Sequence, residues 1–182
     1  MNILCLDFLN SRWYNFHKPF EEPLKNAKWC DEFCQKWDLP GFGDSEKIFN
    51  ELNKLRELLH EAGIEFLSHK SISDIRVKKL NSYLKLAHAS KQLKKDGQTI
   101  SLCTVANNNA LDWVMSQIVL SFAEMITQYP IERIKMCNNP DCDWIFYDES
   151  KSKTRKWCEN ACASLIKVRK FRANMKLEGC QK

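Results

Sequence analysis

The sequence predicts a mainly α fold with a small β-hairpin (α+β) and a small metal-stapled module at its C-terminal end. Three observations predict it. Apolar residues recur at three- and four-residue steps over several stretches of residues 1–130. One short segment with an Asp-Gly pair replaces that period with alternation. Four cysteines, Cys137, Cys142, Cys158 and Cys162, then form two close pairs near the end of the 182-residue chain.

Taken in order, residues 4–11 read LCLDFLNS, an apolar run with Asp7 and Asn10 as polar exceptions. It suits a short strand or the start of a buried helix, and no period decides between them. Residues 26–38 place Trp29, Phe33 and Trp37 on one helical face, before Pro40, Gly41 and Gly43 break it. A helix over about 45–62 can be capped by Asp44 or Ser45. It is lined by Ile48, Leu52, Leu55 and Leu59 and ended by Gly63, although it could run past that glycine. Another starts near Ser73, with Val77, Leu80 and Leu84 inward. Asp96-Gly97 signals a type I′ hairpin whose strand carries Ile100, Leu102 and Thr104 in alternation. Two strands alone are marginal, so the hairpin is expected to lie against the helices. The last helix before the cysteines covers about 108–127, with Leu111, Met115, Ile118, Phe122 and Met125 on one face, and Tyr129-Pro130 closes it.

Charge divides the chain unevenly. Residues 1–150 carry 18 Lys+Arg against 21 Asp+Glu, while residues 151–182 carry 10 Lys+Arg against only Glu159 and Glu178. A positive end of this kind is an electrostatic footprint for an anionic partner, or else a merely solvated tail. No apolar stretch approaches the roughly 18 residues that span a bilayer, so no membrane role is expected. The opening residues lack the basic start of a signal peptide, and nine cysteines without one point to reduced thiols or metal ligands. The expected location is cytoplasmic.

The cysteine spacing is C-x4-C, fifteen residues, then C-x3-C. Two pairs of soft donors on separate turns suit a tetrahedral zinc ion, Zn2+, and a closed set of four thiolates offers no open catalytic position. In Asn138-Asn139-Pro140-Asp141 the first loop has the composition of a tight knuckle. So small a module has too few apolar side chains for its own core, and zinc would supply much of its stability. Zinc loss is then expected to unfold residues 137–172 and leave the N-terminal helices largely intact. The other cysteines read more plainly. Cys30 and Cys34 lie one turn apart without a second pair, Cys5 and Cys103 sit in apolar segments as packing residues, and Cys180 is in the tail.

Residues 137–172, CNNPDCDWIFYDESKSKTRKWCENACASLIKVRKFR, resemble the CGNR-type zinc finger. Cys137, Cys142, Trp144, Phe146, Asp148, Ser150, Arg155, Trp157, Cys158 and Cys162 fall at matching places. The chain departs where Ala163-Ser164-Leu165 replaces Gly-Asn-Arg, and its last cysteine pair is one residue shorter. LCLDFLNS also looks like the opening of the ABATE domain, commonly paired with this finger in bacteria. The resemblance implies an ABATE-like domain over 1–130 that senses or dimerises, and a CGNR-like finger over 131–182. Together these imply a stress-responsive transcription regulator that binds double-stranded DNA, with a homodimer and a small-molecule effector both compatible.

The candidate DNA contacts are Lys153, Arg155 and Lys156 before the second cysteine pair, and Lys167, Arg169, Lys170 and Arg172 after it. They could neutralise phosphates, and Arg169 and Arg172, sharing a face with 165 and 176, could read guanine edges. RNA, or a finger that only docks onto protein, are the competing readings. Asp7 and Asn10 are either local caps or part of a ligand pocket. His17, His60, His69 and His88 are scattered, and no phosphate loop, Ser-His-Asp order or paired catalytic carboxylates appear, so an enzyme is not expected.

Overall fold

The computed structural model describes residues 2–13, 21–41, 45–87, 89–106 and 109–179. His17, Asp44, His88 and Cys180 lie outside the described residues.

The opening run is a helix, α1 (Leu4–Leu9), continued by a 3-10 turn over Asn10–Trp13. Cys5, Leu6, Phe8 and Leu9 are buried. A helix pairs its own backbone there, where a lone strand would leave donors unmet. In α2 (Ala27–Lys36) the side chain of Asn26 caps Trp29 N–H, and Trp29 stacks on Phe33 at 5.2 Å. Arg56, from the following helix, is fully buried and bidentate to Glu22 at 2.8 and 2.9 Å. It also donates to Ser11 Oγ at 3.0 Å, tying that helix to the end of the α1 segment.

Gly63 does not end α3, which runs unbroken over Ser45–His69. A Cβ at Gly63 would lie 2.5 Å from Ile145 Cδ1, so glycine is there to let another element approach. Leu52, Leu55, Leu59 and Ala62 on α3 are fully buried against α5 (Ala110–Gln128), whose Leu111, Met115, Ile118, Phe122 and Met125 all face the core. In α4 (Asp74–Leu84) only Leu80 is buried. Val77, expected inside, is exposed. Ser73 precedes α4 without capping it, because its hydroxyl donates to Glu65.

The first hairpin, β1 (Ala89–Asp96) with β2 (Thr99–Ala106), differs from expectation twice. Asp96 pairs with Thr99, so the turn residues are Gly97-Gln98, and of these two only Gly97 has positive φ, 57°. Glycine at the first central position marks a type II′ turn rather than type I′. The ribbon also does not lie against the helices: every residue from 91 to 102 is exposed. Leu93, Ile100 and Leu102 share one uncovered face, and Cys103, expected to pack, instead points its thiol at Gln92 O.

A second hairpin joins β3 (Ile134–Met136) and β4 (Ile145–Tyr147), with Ile134 opposite Tyr147 and Met136 opposite Ile145. Alternation gives its two faces different neighbours. Ile134, Ile145 and Tyr147 join the helical core, whereas Phe146 joins Cys137, Cys142, Cys158 and Cys162. Packing therefore crosses the boundary expected between residues 130 and 131. The chain ends in α6 (Asn160–Gly179), where every residue from Lys167 to Met175 is exposed. No helix among the described residues is long and apolar enough to cross a membrane.

Candidate metal centre

The knuckle forms where Cys142 N–H donates to Asn139 O at 2.8 Å and Asp141 N–H donates to Asn139 Oδ1 at 3.3 Å. Cys137 sits at the end of β3, its N–H donating to Trp144 O at 2.9 Å, and Asn138 N–H reaches Lys156 O at 2.9 Å. These bonds lay the second loop beside the first. The start of α6 then brings Cys162 one turn beyond Cys158.

All four cysteines are buried, and their sulfurs lie within 4.8 Å of one another. Cys158 Sγ is 3.7 Å from Cys142 Sγ and 3.6 Å from Cys162 Sγ. A tetrahedral zinc with Zn–S bonds of about 2.3 Å needs sulfurs about 3.8 Å apart, so the cradle has the right size. Cys137, Cys142, Cys158 and Cys162 would hold the ion, with no room for a substrate position. Burial raises the Cys137 thiol, but the N–H groups of Asn139 and Cys158 outweigh it and leave it below its ordinary value. Burial beside Cys137 then pushes Cys142 up to about 12, and Cys158 is raised as well. One thiolate makes its neighbours harder to ionise until a metal supplies positive charge.

Around the sulfurs lies a layer of supporting bonds that spacing alone does not reveal. Asn139, read from sequence only as a turn former, is buried and donates from Nδ2 to Cys162 Sγ at 3.4 Å. Cys137 Sγ accepts from Cys158 N–H at 3.5 Å. Asp148 is completely buried and accepts from Lys135 Nζ (2.7 Å), Ser150 Oγ (2.5 Å), Ser150 N–H (2.9 Å) and Arg155 N–H (2.9 Å). Burial alone would raise its carboxyl; these donors hold it far below the usual carboxylate range. Such outer partners fix the loops that carry the ligands.

The expected DNA contacts separate into two groups. Arg155 is exposed but already engaged: it lies over the Phe146 ring at 5.1 Å, its Nε donates to Trp157 O at 2.8 Å, and Nη2 donates to Cys158 O. These bonds brace the second loop. Lys153 pairs with Glu132 at 2.7 Å, and Arg169 pairs with Asp141. Lys156, Lys167, Lys170 and Arg172 are exposed and make no ion pair among the described residues.

Asp7 and Asn10 also part company. Asn10 is buried; its backbone N–H closes the end of α1 on Leu6 O and Phe8 O, while its side-chain amide pairs with Ile145 of β4. Asp7 Oδ2 accepts from Lys36 Nζ at 2.7 Å and Trp37 Nε1 at 2.8 Å. It lines a cleft of about 320 Å³ between α1 and the finger, with Lys36, Trp37, Trp144, Phe146 and Glu149 among its walls. Of the histidines, His60 Nε2 lies 3.1 Å from Asp143 O, a further tie between α3 and the finger.

Compared with known families, residues 133–174 match the CGNR zinc finger. No curated protein matches the chain.

Proposed function

We propose that this chain is a cytoplasmic, non-enzymatic transcription regulator whose zinc-stapled finger presents α6 to double-stranded DNA. The observation that carries the reading is the state of α6. Its first turn is anchored at the cysteine cluster, and the next stretch, Lys167 to Met175, is uncovered with Lys167, Lys170 and Arg172 unpaired among the described residues. A projecting cationic helix fixed at one end is suited to neutralising phosphates and lying in a groove. The match to a zinc-finger family over the same residues supports it.

In this reading the ABATE-like helical body senses or dimerises, and the α1–finger cleft beside Asp7 is where a small effector would bear on the finger. The body reaches the finger through Asn10, His60 and Gly63, so an effector acts by straining a packed seam rather than by releasing a tethered domain.

Fluorescence anisotropy of zinc-loaded protein on mixed genomic duplexes, titrated over salt, tests the function. Micromolar or tighter binding that weakens steeply with salt supports it. Absence of binding at low salt, with zinc retained, rejects it and leaves a zinc-stabilised protein-docking module.

A further inference from the structure

Val168, Phe171 and Met175 on α6 are 45%, 66% and 55% exposed. Their three- and four-residue steps align them in one ridge. On the helical wheel Lys167 falls on one flank of that ridge and Arg172 on the other, with Arg169 and Lys170 farther round toward the opposite face. An uncovered apolar ridge of this kind marks a binding surface.

A second copy of the chain is a poor occupant. Ridge against ridge would bring Lys167 and Arg172 of both copies close together. A second uncovered apolar face, Leu93, Ile100 and Leu102, shares its side of the ribbon with Lys91 and Lys95. The ridge calls instead for a trough that is negative along both rims and apolar on its floor. The DNA major groove, about 12 Å wide, has phosphates on both sides, and the apolar group on its floor is the thymine C5-methyl.

We propose that Val168, Phe171 and Met175 read thymine methyl groups in the major groove while Lys167 and Arg172 hold phosphates to either side. From 168 to 175 the ridge spans about 10.5 Å, close to three base-pair steps of about 3.4 Å each. Specificity then resides mainly in apolar contact, since Arg169 is engaged by Asp141. This inference rests on the DNA reading above.

The test needs no known operator. The same mixed genomic fragments are amplified once with thymidine and once with deoxyuridine nucleotides, which differ only by the methyl group, and both pools are titrated with full-length zinc-loaded protein. Binding to the uracil pool should be weaker by about fourfold for each methyl covered. The Phe171→Ala variant, with zinc content and circular dichroism matching the parent, should lose most of that difference. Equal binding of the parent protein to both pools overturns the methyl readout but leaves the DNA function standing. Failure to bind either pool overturns both. Complete displacement by polyglutamate without any thymine preference also overturns it, in favour of an acidic protein partner.

Discussion

The side-chain amide of Asn10 pairs with the backbone of Ile145 in both directions. Nδ2 donates to the Ile145 carbonyl at 2.9 Å, and Oδ1 accepts from the Ile145 N–H at 3.2 Å. Asn10 thus does for β4 what a neighbouring strand would do, at a buried position where water cannot substitute. Asn10→Leu should therefore cost about 2–3 kcal/mol of stability, because two backbone groups are left unpaired. Urea denaturation of the zinc-loaded protein measures it. A change within error of zero would show that the pair contributes nothing net.

Gly63 lies against the same residue. Alanine there gains about 1 kcal/mol of helix propensity, but its Cβ meets the buried Ile145 Cδ1 at 2.5 Å. Overpacking of this kind costs about 1–3 kcal/mol. Gly63→Ala should be net destabilising, and adding Ile145→Val, which deletes the clashing carbon, should recover much of the loss. If the two substitutions simply add, the contact is not the cause.

Zinc removal should reach further than the finger. Ile134 and Ile145 belong to the helical core while Phe146 belongs to the cysteine cluster, so loosening the loops disturbs both faces of the β3–β4 ribbon. Chelation is expected to lower the melting temperature of the helical signal, in contrast with the independence that the sequence suggests. Far-ultraviolet circular dichroism with and without chelator checks this. An unchanged helical transition would establish independence.

Asp148 gives the finger an acid limit. Its carboxyl is lowered on folding, so it contributes stability above the ordinary carboxylate value of about 4 and loses it as pH falls through the lower folded value. Asp148→Asn should remove about 2–3 kcal/mol near neutral pH by leaving Lys135 without its buried partner. The deficit should shrink as the pH of the melt is lowered below 4. A pH-independent deficit would assign the loss to packing instead of charge.

Two cations should behave differently in DNA binding. Lys170→Gln is expected to reduce the salt slope by about one phosphate contact with zinc binding intact. Arg155→Gln, which breaks the bonds to Trp157 and Cys158, should instead weaken zinc retention. Anisotropy over salt and a chromophoric zinc-release assay separate them. An Arg155 variant that keeps its zinc but loses salt slope would make Arg155 a phosphate contact.

The four-cysteine cluster was legible because each pair is close in sequence, one across a tight knuckle and one across the start of α6, where spacing alone decides whether two sulfurs can converge. The faces of α3 and α5 were legible for the same reason: helical periodicity is local. Gly63 misled because a glycine that stops a helix and one that admits a neighbour look alike until the neighbour, Ile145, is in place. The bonds of Arg155 to Trp157 O and Cys158 O were not legible, because sequence gives a side chain's charge and not the groups it meets. Asn10 serves a partner 135 residues away, and no local pattern encodes that reach. The turn at Gly97-Gln98 shifted by one residue because Asp-Gly is equally suited to the last strand position and first turn position.

The two-sided ribbon also governs how this finger can be inherited. A cut at residue 130 would leave the helical body with a cavity where Ile134 and Ile145 had been, and give the fragment an oily face with nothing over it. On this packing, residues 131–179 are not expected to behave as a portable cassette. A recombined chain that keeps α6 on a different carrier needs a helix with a gap opposite Ile145 and an amide placed to meet its backbone. Those two requirements, more than the cysteines, restrict which bodies this finger can be joined to.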